Sequence, residues 1–432
     1  MLRIKEPIER PSVLVLNRSY WPDAEATGQL LTELCEDLAS RYQITVIAGQ
    51  TNQNPTGVRC RTWGSEQHNG VTIRRVPHLK LGKKFLWARG LNMLTYFAGA
   101  AISALFSRRP AAVVVETDPF LLPLLGRLLQ VRHGCRLIVY LQDIYPDVAV
   151  ATGTVRNRWS IRLLRRCLFA VYRRADRVIV LGEDMRAILT EGGVPDDRIT
   201  TVPNWADTRR IYPVRQDNAF RRNEALDGQF VVMYSGNMGL CQNLDSILEA
   251  ARLLRDRSDI QFVFVGDGVS RDRLESRARD LANVRFRPYQ PQSQLAHSLS
   301  AADLHLVPLD ARVTGCLVPS KLYGILAAGV ASLVVADDRC EVSRVIRESE
   351  TGKIVAPDNP EQLAKMIAWC AANRSVLKQM GDRARLLAER DYDRKTATGR
   401  FGQLLEDAIA GISSPGDRSC SALASKADLE PA

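Results

Sequence analysis

The sequence predicts an α/β protein with two domains, each built on a parallel sheet, that face each other across a central cleft. Short, continuously apolar segments alternate with helical patterns, which is typical of parallel strands buried on both faces. This alternation runs twice, and a segment rich in Pro, Asn and Asp separates the two runs at residues 201–213. The length of 432 residues also exceeds one ordinary core.

The strand candidates come in order along both halves of the chain. Five lie in the first half, at residues 12–17, 43–49, 111–119, 136–143 and 176–182. Six lie in the second half, at residues 229–236, 260–268, 283–288, 302–309, 331–337 and 351–357. Because ligands of such sheets bind outside the carboxyl ends of the strands, we expect both carboxyl edges to line the shared cleft.

The domain boundaries follow from this order. We expect an N-terminal domain over residues 1–205 and a C-terminal domain over residues 206–390. A last helix, over residues 391–412, is expected to pack back on the N-terminal domain. Residues 413–432 are rich in Ser, Asp, Pro and Ala, and we predict that they are disordered.

The spacing of the cysteines and the first residues of the chain indicate the cellular compartment of the protein. The nine cysteines are dispersed without a C-x-x-C pair, so we expect reduced thiols and no zinc site. The first residues, MLRIKEPIERP, are charged and lack the apolar core of a signal peptide. These features together predict a cytoplasmic protein.

The net charge of +11 is concentrated in the first half, where residues 1–205 carry 28 Lys and Arg against 18 Asp and Glu. Residues 156–177 contain eight arginines, and residues 78–109 place Lys80, Lys83, Lys84 and Arg89 beside large apolar side chains. Such segments can lie on anionic lipid, so we predict peripheral docking on the inner face of the cytoplasmic membrane. Solvated faces of ordinary core helices are the alternative. Nucleic acid is disfavoured because no known binding module occurs.

A glycine turn, SGNMG at residues 235–239, joins a strand candidate to a helix that starts near Asn243. Glycines let backbone amides approach a phosphate, and a helix N-terminus attracts anions. Neither a P-loop motif nor a dinucleotide-binding fingerprint is present. We therefore expect a phosphate site here, with a purely connective turn as the alternative.

A lysine stands at an unfavourable place in the stretch VPSKLYGILAAG, residues 318–329. Pro319 and Ser320 predict a helix start and Gly329 predicts its end, so Lys321 lies where the helix dipole disfavours a cation. A bound anion would reverse that preference. We expect Lys321 to bind a diphosphate with the glycine turn; an exposed lysine without a ligand is the alternative.

Taken together, these segments make the sequence similar to glycosyltransferase family 4, the retaining nucleotide-sugar transferases with the GT-B fold of two Rossmann-like domains. More narrowly, it resembles the bacterial transferases of exopolysaccharide and O-antigen assembly. The resemblance runs from about Ser12 to about Asp407 and is carried by YWPDAEATGQLLTELCEDLA, YLQDIYPD, ADRVIVLGEDM, VPNWAD, YSGNMG, FVFVGDG, AADLHLVPL and VPSKLYGILAAG.

The resemblance implies roles for single residues. Gly28 matches the glycine in the loop after the first strand, which closes over the donor. Asp143 matches the acidic or histidine position near the donor sugar and the acceptor, and a turn-capping aspartate is the alternative. Gly236 and Asn237 match the turn that binds the diphosphate, and Tyr289 and Gln290 match the segment that reads the base. Ser320 and Lys321 match the start of the diphosphate helix.

The sequence also departs from the family pattern. Cys316 and Gly324 stand where many members carry two glutamates, the second of which holds the ribose. We expect Glu341 to hold the ribose instead, or to be an ordinary acid at a helix start. The resemblance implies sugar transfer from a nucleotide diphosphate sugar, with a UDP-sugar expected first, to a polyprenyl-linked or other glycan, without an essential metal or other cofactor. A nucleotide-sugar epimerase of the same architecture and a catalytically degenerate scaffold are the open alternatives.

Overall fold

Two sheets form the centres of two α/β domains in the computed structural model, which describes residues 10–23, 25–51, 60–82, 86–156 and 158–412. The two-domain α/β prediction is therefore confirmed. The predictions for Lys83, Lys84 and the tail from residue 413 lie outside the described residues.

The sheet of the N-terminal domain has eight strands in the order β3-β4-β2-β1-β5-β6-β7-β8. Its strands are β1 (Ser12–Leu16), β2 (Gln43–Ala48), β3 (Gly64–His68), β4 (Val71–Arg75), β5 (Ala112–Val115), β6 (Arg136–Tyr140), β7 (Arg177–Val180) and β8 (Ile199–Thr201). Its helices are α1 (Ala26–Leu38), α2 (Leu86–Leu105), α3 (Leu122–His133), α4 (Asp147–Ala151), α5 (Trp159–Tyr172) and α6 (Glu183–Glu191). Strands β1, β5, β6 and β7 are almost fully buried, as expected for parallel strands covered on both faces.

The sheet of the C-terminal domain has six parallel strands in the order β11-β10-β9-β12-β13-β14. These strands are β9 (Phe230–Ser235), β10 (Ile260–Val265), β11 (Val284–Arg287), β12 (Leu304–Pro308), β13 (Ser332–Val335) and β14 (Gly352–Val355). The helices of this half are α7 (Ala219–Asn223), α8 (Leu244–Leu253), α9 (Arg271–Arg277), α10 (Leu295–Ser300), α11 (Lys321–Ala327), α12 (Glu341–Ser349), α13 (Pro360–Ala372), α14 (Arg374–Asp391) and α15 (Arg394–Ala410).

Three strands of the first sheet were missed by the sequence analysis. Strands β3 and β4 form an antiparallel hairpin around Asn69-Gly70, where both residues have positive φ. The sequence does contain this Asn-Gly turn signal, but the polar composition of β3 hid the strand. Strand β8 has only three residues, so its apolar content was too small to detect.

The chain crosses between the domains twice, and the two crossings lie side by side. The amide of Ala206 donates to the carbonyl of Tyr392 at 3.0 Å. Helix α15 then packs on α1, where Arg394 forms an ion pair with Asp37 at 2.7 Å. The C-terminal helix therefore contacts the N-terminal domain.

The carboxyl edges of the two sheets meet at a direct backbone contact. The amide of Ile144 donates to the carbonyl of Cys316 at 2.8 Å, and Asp143 bridges Leu317. These residues follow β6 in one domain and precede α11 in the other. The contact brings the segment that carries Asp143 beside the segment that leads to Lys321.

Candidate functional site

The Lys321 side chain turns back from α11 toward the glycine turn after β9. A Cβ atom placed on Gly236 would lie 3.4 Å from the Lys321 Nζ. The ammonium donates a hydrogen bond to the hydroxyl of Tyr234 at 2.6 Å and lies 3.8 Å from the centre of that ring. The helix begins at Lys321, and Gly329 follows its end with a φ of +65°, as the sequence predicted.

The ammonium of Lys321 is a partly buried cation without a counter-charge. Among the described residues, no carboxylate forms an ion pair with it. Burial alone lowers the pKa of Lys321 from its usual value to about 7. Placing a cation here is therefore unfavourable unless an anion arrives to pair with it.

The glycine turn is already held by hydrogen bonds within the protein. The amide of Gly236 donates to Val265, that of Met238 to Asp267 and that of Gly239 to the Gln242 side chain. Three amides that could have faced a phosphate are thus occupied in this conformation. The Lys321 ammonium lies beside this turn, and contact of the remaining amides with a diphosphate stays a prediction.

The backbone of this turn packs too closely for any side chain at one neighbouring position. A Cβ atom on Gly266 would lie 2.0 Å from the carbonyl oxygen of Gly236, and Gly266 has a φ of +141°. Gly236 has the same φ of +141°. Glycine at both positions is what lets the ends of β9 and β10 approach each other.

The other C-terminal residues of the expected donor site have local partners. The Tyr289 hydroxyl lies 3.5 Å from the Asp267 carbonyl, and the Gln290 side chain donates to the Pro288 carbonyl. Ser320 makes no capping hydrogen bond to α11. Burial and then the neighbouring Tyr289 raise the pKa of the Tyr234 phenol well above its usual value. Base reading by this segment stays a prediction.

Asp143 lies in the interdomain gap, three residues after the end of β6. Within the described part of the chain, no group donates a hydrogen bond to its carboxylate, so it does not cap a turn. Burial and then the neighbouring Asp118 raise the pKa of Asp143 to about 6. Burial and then the neighbouring Asp143 raise the pKa of the Cys241 thiol to about 11.

Polar groups that were not predicted as site residues follow β6, its neighbour β5 and the next strand β1 at the same edge of the sheet as Asp143. Arg18 follows β1 and pairs with Asp118, which follows β5, at 3.1 Å. Glu116 is fully buried beside Gln142, and burial raises its pKa well above the usual range. Each of these residues stands just after a parallel strand, so the rule that ligand sites lie at carboxyl edges could have selected them.

Gly28 lies in the first turn of α1, not in the preceding loop as we predicted. It is buried against Ser19, because a Cβ atom on Gly28 would lie 2.5 Å from the Ser19 hydroxyl. The close approach of helix and loop thus requires glycine here. Contact with a donor stays a prediction.

Glu341 makes contacts across the domain interface. Its carboxylate accepts hydrogen bonds from Arg344 at 2.6 Å and from the amide of Glu183 at 3.1 Å. In return, the carboxylate of Asp184 accepts from the amide of Glu341 at 3.0 Å. Each helix, α6 and α12, therefore has its N-terminus capped by an acid of the other domain. These hydrogen bonds indicate a structural role for Glu341. Ribose binding by Glu341 stays a prediction.

Two further observations concern metals and thiols. Over the described ranges, no group of three or more His, Cys, Asp or Glu side chains could hold a metal ion; metal independence stays a prediction. All eight cysteines in the described part of the chain are free. His305 lies in β12 with its Nε2 2.8 Å from the Leu299 carbonyl, as a structural histidine would.

The chain matches two family descriptions that together cover both domains. Residues 26–205 match the glycosyl transferase 4-like domain, and residues 215–387 match glycosyl transferases group 1. The probable glycosyltransferase WbjE of Pseudomonas aeruginosa is 30% identical over 68% of this chain and 74% of its own length. The putative colanic acid biosynthesis glycosyl transferase WcaI of Escherichia coli K12 is 28% identical over 90% of this chain and 98% of its own length.

Solved structures share the whole fold at low sequence identity. Sucrose-phosphate synthase from Thermosynechococcus elongatus has a TM-score of 0.74 at 17% identity, covering 93% of this chain and all of its own. HepE from Anabaena, solved with UDP and glucose, has a TM-score of 0.71 at 15% identity, covering 92% of this chain and all of its own. The predicted GT-B fold is confirmed, and the chain belongs to glycosyltransferase family 4 as a sugar-transferring enzyme.

Proposed function

We propose that the protein is a retaining glycosyltransferase that moves a sugar from a UDP-sugar to a polyprenyl-linked or other glycan during the synthesis of a cell-surface polysaccharide. The partly buried ammonium of Lys321, held over the Gly236 turn without a counter-charge, is the observation that carries this proposal. The names of WbjE and WcaI support the class of pathway. Because the HepE structure contains UDP, UDP is the first nucleotide to test.

In this proposal, the cleft separates the two charges that develop during transfer. As the bond from the sugar to the diphosphate breaks, negative charge grows on the diphosphate beside Lys321 and positive charge grows on the sugar. A fixed ammonium lowers the energy of that state because it is already oriented before the reaction. Asp143, on the opposite domain, orients the acceptor hydroxyl or stabilises the cationic sugar. The leaving phosphate takes the proton of the acceptor.

A panel of UDP- and GDP-sugars tests the proposed activity. Incubation with the purified protein is expected to release UDP slowly, with sugar transfer when a glycan-lipid extract is added. Formation of an epimer of the donor would support the epimerase alternative. Absence of nucleotide binding across the panel would support a degenerate scaffold, and either result would refute the proposal.

We further propose that the N-terminal domain docks on anionic lipid through α2, α3 and α5. Helix α2 packs against α3 and α3 against α5, so the three share one face of the sheet. Large apolar side chains project from this face into solvent: Trp87, Leu91, Leu94, Ile102, Phe106, Leu128, Val131, Trp159 and Leu163. Exposed cations accompany them, among them Arg89, Arg108, Arg109, Arg132, Arg162 and Arg166. Over the described residues, no helix is long and apolar enough to cross a bilayer, so this face would lie on the surface.

The triple variant Trp87→Ser, Ile102→Ser, Phe106→Ser should bind vesicles containing phosphatidylglycerol at least about tenfold more weakly in a sedimentation assay. These side chains are 66%, 63% and 86% exposed, so their loss should leave folding intact. Binding of the unaltered protein should also weaken as salt rises.

A matched triple variant in the other domain controls for this change. Leu253, Val269 and Leu386 are exposed apolar residues of the C-terminal domain, and their replacement by Ser should leave vesicle binding unchanged. Equal vesicle binding by the two triple variants, or binding insensitive to salt, would refute the docking proposal.

A further inference from the structure

Tyr234 occupies the place where the glycine turn, the strand β9 and the Lys321 side chain meet. It is the fifth residue of β9 and is 1% exposed. Its ring lies under the Lys321 ammonium at 3.8 Å, and its hydroxyl accepts the hydrogen bond from that ammonium at 2.6 Å. The hydroxyl also donates to the carbonyl of Asn237, in the glycine turn.

The hydroxyl of Tyr234 thus accepts one hydrogen bond and donates another, so it links two groups in a single chain. The chain runs from the Lys321 ammonium through the Tyr234 hydroxyl to the Asn237 backbone. Because burial raises the pKa of Tyr234 well above its usual value, the phenol stays protonated and keeps donating to Asn237. Hydrogen bonds through Tyr234 therefore connect the ammonium to the same turn that would face a diphosphate.

Without such a partner, the side chain of a lysine would occupy several rotamers. Four rotatable bonds give its side chain about 2 kcal/mol of rotamer entropy, which a stabilising electrostatic contact must overcome. Among the described residues, no carboxylate pairs with this ammonium; its hydrogen bond goes to the hydroxyl of Tyr234, and it lies over the ring of the same residue. The sequence motif YSGNMG carries the tyrosine two residues before Gly236, which is the spacing that brings the hydroxyl under the turn.

We propose that Tyr234 is a positioning residue for sugar transfer: it fixes the Lys321 ammonium over the Gly236 turn and couples it to the backbone of that turn. This inference rests on the proposed function, in which Lys321 binds the diphosphate of the donor. Tyr234 itself touches Lys321 and Asn237 and acts on the reaction only through them.

The variant Tyr234→Phe tests the hydroxyl while the ring stays in place. The hydroxyl accepts from the charged form of Lys321, so its loss should lower the pKa of Lys321 further. A UDP-sugar needs the charged form, so its affinity should fall about five- to tenfold at pH 8 and by about twofold or less at pH 6. The nearby His305 does not contribute to this difference. Burial lowers its pKa to about 4, so it stays neutral between pH 6 and pH 8. Tyr289 and Cys241, which act on Tyr234, have pKa values of about 12 and about 11 and also stay neutral.

Nuclear magnetic resonance of the lysine side chains in the ligand-free protein gives a second readout. The Lys321 signal can be assigned by its absence in Lys321→Met. A lower Lys321 pKa in Tyr234→Phe supports the inference even if no donor binds, whereas an unchanged pKa overturns it. Failure of the unaltered protein to bind any nucleotide sugar would overturn the proposed function separately.

Tyr96→Phe is the matched control for a purely structural effect. Tyr96 is also fully buried, and its hydroxyl donates to the carbonyl of Ile47 at 2.8 Å in the N-terminal domain. Both phenylalanine variants should unfold at a somewhat lower temperature. If both also leave the pH profile of donor affinity unchanged, Tyr234 only supports the fold and the inference is wrong.

Discussion

Lys321→Met is expected to weaken binding of a UDP-sugar by at least about tenfold while raising the temperature at which the ligand-free protein unfolds. The affinity falls because a charge-assisted contact to the diphosphate is lost. The stability rises because a partly buried cation without a counter-charge is replaced by an apolar side chain of similar length. Isothermal titration and thermal unfolding measure the two effects.

The pH dependence makes this expectation more specific. Burial gives Lys321 a pKa of about 7 in the folded protein, below the value of about 10.5 in an unfolded chain. Between these values the unfolded chain binds the additional proton, so the stability contributed by this site rises with pH. The advantage of Lys321→Met in unfolding temperature should therefore be largest below pH 7 and shrink above it.

Donor affinity should follow the opposite trend. In the unaltered protein, the affinity for a UDP-sugar should fall as the pH rises above about 7, because the free lysine loses its charge. Lys321→Met should show no such decline. Equal affinities of the two proteins at pH 6.5, or a variant that unfolds at a lower temperature, would remove Lys321 from the proposed diphosphate site.

Local sequence predicted the elements of this site better than it predicted their contacts. The helix around Lys321 was predicted from Pro319, Ser320 and Gly329, because helix starts and stops are set by neighbouring residues. The hydrogen bond from Lys321 to Tyr234 joins residues 87 positions apart, and no pattern in either segment reveals it. Two of the occupied amides of the glycine turn, those of Gly236 and Met238, have the same origin, since their acceptors lie on the neighbouring strand β10 and in the turn after it.

The contacts between the domains were the least predictable part. The reciprocal capping of α6 by Glu341 and of α12 by Asp184 depends on how two separately folded sheets are packed. Sequence periodicity predicts which face of a helix is buried, but not which helix of another domain it meets. For the same reason Glu341 was assigned to a ligand when its described contacts are with protein.

Asp143→Asn should lower the turnover number of sugar transfer by about 10²- to 10³-fold and leave UDP-sugar affinity within about twofold. The amide keeps the size of the side chain but removes the negative charge that would orient the acceptor hydroxyl or stabilise the cationic sugar. Because the pKa of Asp143 is raised to about 6, the rate of the unaltered enzyme should decline as the pH falls below 6. The residual rate of Asp143→Asn should not decline there.

Asp147→Asn separates this effect from a general disturbance of the segment. Asp147 is four residues further on, begins α4 and forms an ion pair with Arg165 at 2.8 Å, so its loss should affect stability more than turnover. Steady-state rates with saturating donor, measured for both variants between pH 5 and pH 8, distinguish the two residues. If both lower the rate equally, or if Asp143→Asn keeps the acid decline, then the carboxylate in the interdomain gap is not the group that meets the reacting sugar.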